Sequence, residues 1–191
     1  MISNTLVSNL GKVFEGPLLI KPEVFSDSRG FFMESWNQKS FNNLFSDPIN
    51  FVQDNHSFSF KSVLRGLHYQ LNPHAQAKLV RCVSGEIFDV LVDLRLKSST
   101  FGEWTGVDLS AENFNQLWVP IGFAHGFLTK SESAVVLYKT TEFWYKELDR
   151  SLNWADKEIN IKWPKLKNQP ILSDKDLNSP SLININRKDL F

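Results

Sequence analysis

The aromatic residues of this chain come in short bursts cut off by turn formers, and that texture limits its possible folds more than any other feature. Sixteen phenylalanines and six tryptophans are spread over 191 residues. Most lie in runs of a few apolar residues bounded by Gly, Pro, Asn, Asp or Ser. Runs of this length suit strands, because aromatic and branched side chains pack well on a pleated, half-buried surface. Strands are expected over residues 16–20, 80–83, 85–93, 102–109, 115–119, 126–128 and 134–140. A mostly β chain with that spacing makes a sandwich or barrel. Helical signals are confined to residues 37–45, about two turns, and a short turn at 174–177. Residues 85–95 alternate acidic and apolar side chains, so one polar strand face is expected there, at a barrel mouth.

Length and charge narrow the class further. A chain of 191 residues fits one domain and buries a core without disulfides or metals. Its 21 basic residues balance 21 acidic ones. No overall field therefore favours nucleic acid or an anionic membrane, and an anionic ligand needs a local cluster. The single Cys82 sits in an apolar run and reads as a buried core thiol. The N-terminus lacks the pattern of a signal peptide and no apolar segment reaches spanning length, so a cytoplasmic location is expected. The tail, residues 177–191, is polar and expected either to be loosely ordered or to dock on a partner subunit.

Three clusters carry reactive side chains. In the first, Arg65-Gly66-Leu67-His68-Tyr69-Gln70 is followed by Gln76 and Lys78, with Arg65 expected near His68 at a turn around Gly66. Neighbouring cations favour a neutral histidine, able to accept a proton. A surface basic loop with a hydrogen-bonded histidine fits the same spacing equally well. In the second, Pro120-Ile121-Gly122-Phe123-Ala124-His125 has the Pro-x-Gly-x-x-His form of the second cupin signature. That similarity implies a cupin-type jelly-roll β-barrel, with a few short helices and with His125 facing its cavity. Metal-binding cupins add a closely spaced histidine pair, but His68 is followed by Tyr69 and Gln70, so no bound metal is expected. The third cluster, Leu137-Tyr138-Lys139-Thr140-Thr141-Glu142-Phe143-Trp144, reads by spacing alone as core aromatics.

Taken in order, Phe25-Ser26-Asp27-Ser28-Arg29-Gly30-Phe31-Phe32-Met33-Glu34, the run 51–57, Val63-Leu64-Arg65-Gly66-Leu67-His68-Tyr69-Gln70, Gly122-Phe123-Ala124-His125-Gly126-Phe127, Tyr138-Lys139-Thr140-Thr141, Trp163-Pro164 and residues 172–176 resemble the dTDP-4-dehydrorhamnose 3,5-epimerase family. The match runs from about residue 17 to residue 176. It implies an isomerase without cofactor that inverts C3 and C5 of dTDP-4-dehydro-6-deoxy-D-glucose, giving dTDP-4-dehydro-L-rhamnose for dTDP-L-rhamnose synthesis. By this resemblance His68 is the base and Asp176 orients it, Lys78 stabilises the enolate oxygen, and Tyr138 returns a proton to the opposite face.

The resemblance further implies substrate contacts from Arg29, Glu34, Gln53, Asn55, Arg65, His125 and Lys175, with thymine stacking on Trp144. The family usually places a tyrosine where Trp144 stands and often a glutamate where Asp149 stands; tryptophan keeps a flat face for stacking, and Asp149 makes the implied contact with a shorter side chain. A homodimer with N-terminal strands paired across subunits is implied too, in which Arg29 serves the neighbouring site. A relative that inverts C3 alone would use nearly the same set. A sugar-binding cupin without activity would be expected to lack His68, Lys78 or Tyr138, and all three are present.

Overall fold

A computed structural model describes residues 2–191. Thirteen strands dominate it. In chain order they are β1 (Ile2–Val7), β2 (Val13–Lys21), β3 (Val24–Asp27), β4 (Gly30–Met33), β5 (Gln53–Phe60), β6 (Leu64–Gln70), β7 (Lys78–Ser84), β8 (Glu86–Asp93), β9 (Trp104–Ser110), β10 (Gln116–Val119), β11 (Phe123–Thr129), β12 (Ser133–Thr140) and β13 (Asp149–Ser151). Two short helices, α1 (Gln38–Asn42) and α2 (Asp174–Leu177), are each started by a side chain, Asn37 and Ser173, that accepts from a first-turn N–H.

Six strands form one sheet in the order β1-β2-β10-β7-β12-β5, five form a second in the order β13-β6-β11-β8-β9, and β3–β4 is a separate hairpin. The architecture is the cupin-like jelly roll expected from the sequence. Alternation along the strands explains the layering. Val80 and Cys82 of β7, Ile87 and Leu91 of β8, and Ala134 and Val136 of β12 meet in one core between the sheets. Leu79 points the other way, into a cluster with Trp118 that Phe41 of α1 covers. Val90 and Val92 of β8 join a third cluster on the far side of the five-stranded sheet.

That third cluster corrects two expectations. The five-stranded sheet is covered on both faces, so β8 carries no solvated polar face: Asp89 and Asp93 are completely buried. Asp93 instead anchors the following turn, accepting from Arg95, Ser98 and Thr100. The tail is the cover. Leu182, Ile185, Leu190 and Phe191 pack on the cluster, and Phe191 exchanges backbone hydrogen bonds with Leu94 and Leu96 of its own chain. Four apolar side chains spaced through a polar tail are enough to dock it.

The expected strands at residues 16–20, 80–83, 85–93, 102–109, 115–119, 126–128 and 134–140 all fall within or largely within observed ones. Among the strands outside that set, β5 and β6 matter most to the site. The first alternates polar and aromatic residues, and the second contains Gly66, which reads as a turn. In place of that turn there is a bulge inside β6: His68 pairs with His125 and Arg65 with Phe127, three steps on one strand against two on the other. Among the described residues no helix is long and apolar enough to cross a membrane.

Candidate active site

The bulge creates the site. Strict alternation would send Arg65 and His68, three residues apart, to opposite faces; the extra residue in β6 resets the parity, and both line one cavity of about 400 Å³. Gly66 makes this possible. It has φ +113°, and a Cβ there would sit 2.7 Å from Gly126 Cα and His125 O on the neighbouring strand. Only glycine combines that conformation with such close approach of two backbones.

Four strands and α2 supply the functional groups around the cavity. His68 comes from β6 and His125 from β11, in the five-stranded sheet. Lys78 of β7 and Tyr138 of β12 reach it from the six-stranded sheet. Lys175 and Asp176 come from α2, which is held in place because residues 62–64 and Ile171 exchange backbone hydrogen bonds. The Ser173 hydroxyl accepts from the Asp176 N–H and directs that carboxylate inward.

Asp176 Oδ1 lies 2.5 Å from His68 Nε2. Burial pushes the Asp176 carboxyl up, but the hydrogen bond and charge of His68, the Ser173 hydroxyl and the Gly66 backbone outweigh it and hold the group below the ordinary aspartate value. An ionised Asp176 only accepts, so Nε2 carries the proton and the lone pair of a neutral His68 is on Nδ1. Lys78 donates from Nζ to the His68 carbonyl at 3.4 Å. Burial pulls its pKa down to about 8; the charges of Asp149 and Asp89 work against this and Lys175 adds to it. Tyr138 is shifted upward, chiefly by burial, with Asp149 adding to the shift and Arg65 opposing it. Arg65 itself is fixed to β5 through Ser59 Oγ at 2.9 Å and the Phe58 carbonyl at 3.0 Å.

Of the residues singled out in the sequence, the fold gathers His68, Lys78, Tyr138, Asp176, Arg65, His125 and Lys175 around this cavity. His125 is paired through Nε2 with buried Asp89 at 2.5 Å. Gln53 and Asn55 stand on β5 in the same inward-alternating row as Ser57, a lining residue; Gln53 donates to Asn55, and its Oε1 accepts from the Trp144 N–H at 3.1 Å. Trp144 itself is 54% exposed. Asp149 reaches the site through Lys175, whose Nζ lies 2.5 Å from Asp149 Oδ2.

Arg29 and Glu34 stand apart from the cavity. Arg29 has an 88% exposed side chain paired with Asp27, and Glu34 accepts from Asn37. Sequence reasoning missed Ser57, Ser173 and Asp89. The polar period-two row Gln53-Asn55-Ser57-Ser59 was the available signal for the first, and the alternation after Gly85 for the last. No three His, Cys, Asp or Glu side chains come together as a metal-binding group among the described residues.

The family model described as dTDP-4-dehydrorhamnose 3,5-epimerase matches residues 12–184. A dTDP-4-dehydrorhamnose 3,5-epimerase from Shigella flexneri is 58% identical over 166 residues, 87% of this chain and 91% of the relative. One from Pseudomonas aeruginosa is 57% identical over 159 residues, covering 83% and 87%. A solved dTDP-6-deoxy-D-glucose-3,5-epimerase from Legionella pneumophila, in complex with dTDP-4-keto-L-rhamnose, superposes with a TM-score of 0.91 at 42% identity, covering 99% of this chain and 97% of that one.

Proposed function

The chain belongs to the dTDP-4-dehydrorhamnose 3,5-epimerase family and is a sugar-nucleotide epimerase, and from that premise we propose how its own residues divide the reaction. His68 Nδ1 takes the proton from the carbon beside the C4 ketone of dTDP-4-dehydro-6-deoxy-D-glucose. The C–H electron pair moves into the ring bond, and the carbonyl electrons move onto oxygen. Lys78, as an ammonium, stabilises that enolate oxygen. Tyr138 then gives its phenolic proton to the other face of the same carbon, inverting it. His68 loses its proton and Tyr138 regains one by exchange with water. The same cycle at C3 and C5 yields dTDP-4-dehydro-L-rhamnose.

One observation carries this reading: His68 and Tyr138 enter a single cavity from different sheets. Inversion requires removal and return of the proton on opposite faces; one group acting alone would restore the starting centre. Asp176 supports the base by holding its tautomer and by stabilising the imidazolium that forms. Arg65, Lys175 and His125 form the cationic and polar wall for the diphosphate and sugar, and guanidinium suits a phosphate best. Trp144 offers an exposed flat face for thymine, with Gln53, Asn55 and Asp149 around it.

The proposal includes a homodimer. The β3–β4 hairpin carries Arg29 away from its own cavity and exposes Phe25, Phe31 and Phe32, which fits a surface covered by a second copy, with Arg29 and Glu34 serving the partner's site. β1 pairs with β2 of its own chain here, so pairing between subunits would exchange or extend this edge. Light scattering tests the dimer, and an Arg29→Ala chain mixed with a His68→Asn chain tests the shared site by recovery of activity. A cytoplasmic location also belongs to the proposal; it is supported by the use of a single cysteine, Cys82, as a free, buried thiol.

The direct test of the reaction is incubation with the substrate in D₂O with chelator, following deuterium at C3 and C5 by NMR. Exchange at both carbons, abolished in His68→Asn, is expected. Exchange at C3 alone would assign the chain to single-centre epimerisation, and none at either carbon would overturn the substrate.

A further inference from the structure

We propose that Gln70 is a positioning residue that sets the nucleotide platform at Trp144 in register with the base His68; the proposal rests on the reading of Trp144 as the stacking surface. The loop between β12 and β13 holds Trp144, and residues 142–145 form no part of either strand. Their backbone groups must still find partners. Glutamine side chains provide them. Gln76 Nε2 donates to the Glu142 carbonyl at 2.8 Å, and Gln53 Oε1 accepts from the Trp144 N–H at 3.1 Å.

Gln70 does the most. Its Nε2 donates to the Phe143 carbonyl at 2.8 Å and the His74 carbonyl at 2.5 Å, and its Oε1 accepts from the Tyr145 N–H at 2.8 Å. One amide thus grips the loop on both sides of Trp144, and at 3% exposure it is sealed from competing water.

The position of Gln70 along the chain gives this grip a catalytic meaning. It lies two residues after His68 on β6, on the same side of the strand, since Leu67, Tyr69 and Leu71 all belong to the opposite apolar cluster. The base and the platform clamp are therefore one rigid stretch of β strand. A substrate anchored at its thymine must place C3 and C5 against His68, and misplacement by about 1 Å can cost on the order of 10² in rate. Polar atoms in a buried position with three partners have little freedom to drift.

The experiment compares Gln70→Glu, Gln70→Leu, Gln76→Met and Trp144→Ala with the wild-type enzyme, using calorimetric Kd for dTDP and full kinetics with the 4-keto sugar nucleotide. Gln70→Glu is nearly isosteric, but above neutral pH its second oxygen faces the His74 and Phe143 carbonyls and repels them; once protonated, the carboxyl donates again. For Gln70→Glu at pH 8, Kd for dTDP and KM are expected to rise about tenfold while kcat at saturation falls less, with affinity recovering in part as pH is lowered to 6. A residue that only stabilised the fold would show no such pH-dependent rescue and no KM-against-kcat split.

Gln70→Leu is expected to weaken dTDP at every pH and to raise amide exchange across residues 141–146, and Gln76→Met to do so more mildly. If Gln70→Leu fails to fold, Gln70→Glu still decides the matter. Trp144→Ala is expected to weaken dTDP by about ten- to a hundredfold. Wild-type affinity in Trp144→Ala would overturn the platform reading itself. Weakened dTDP in Trp144→Ala with unchanged dTDP affinity in Gln70→Glu would overturn the role of Gln70 alone.

Discussion

His68 and His125 stand opposite each other on strands β6 and β11, and each has its Nε2 bonded to its own carboxylate at 2.5 Å, Asp176 for one and Asp89 for the other. The two pairs differ in access. The His68 ring is half-buried at the cavity, whereas His125 and Asp89 are buried. In the proposed mechanism these two chemically similar dyads have separate tasks: the reachable one exchanges protons, and the sealed one is a fixed polar wall.

Replacing Asp176 with asparagine should leave His68 in place but remove the ionised acceptor that holds its proton on Nε2. Turnover is expected to fall by on the order of 10²–10⁴, with KM little changed, as for other histidine bases deprived of their carboxylate. A fall in affinity with unchanged turnover would contradict the role given to Asp176.

Tyr138→Phe removes the returning acid without touching the base. Deuterium from solvent should still enter the starting sugar on the His68 face, while inverted product forms at least about 10² more slowly. NMR of substrate and product in D₂O separates the two rates, and equal loss of both would show that the hydroxyl is needed for proton removal as well.

The pKa of Lys78, about 8, sets a pH limit. In the proposed mechanism the ammonium form stabilises the enolate, so kcat/KM of the free enzyme is expected to fall as pH rises through about 8. Tyr138, shifted above its ordinary value, stays protonated over that range and does not contribute to the fall. Lys78→Arg should move the basic limb upward because guanidinium keeps its charge, and a limb that does not move would exclude Lys78 as its source.

Gly66→Ala should destabilise the protein by about 2 kcal/mol or more, since it places a Cβ 2.7 Å from the facing backbone at a positive φ. Chemical denaturation measures this. Activity at temperatures where the variant stays folded should also drop, because the bulge that brings Arg65 and His68 to one face is disturbed.

Much of the chain could be read directly. The seven expected strands lie in short apolar runs with clear turn signals, where local preference and burial agree. Strands β5 and β6 escaped because Phe58 and Phe60 alternate outward from a polar inner row and because Gly66 mimics a turn. At the site, the motif residues His68, Lys78, Tyr138, Asp176, Arg65, His125 and Lys175 were legible in the sequence. Their mutual distances were not, since Asp176 lies 108 residues from His68 along the chain.

By itself the sequence determined most strands of the two sheets, because strand periodicity is a local property, and its motifs pointed by resemblance to the candidate site residues. Only the tertiary structure decided that a bulge turns Arg65 and His68 to one side, that Asp89 pairs with His125, and that the tail seals the second sheet. Those outcomes depend on strand register and on desolvation between distant segments, and neither exists until the sheets have paired and packed.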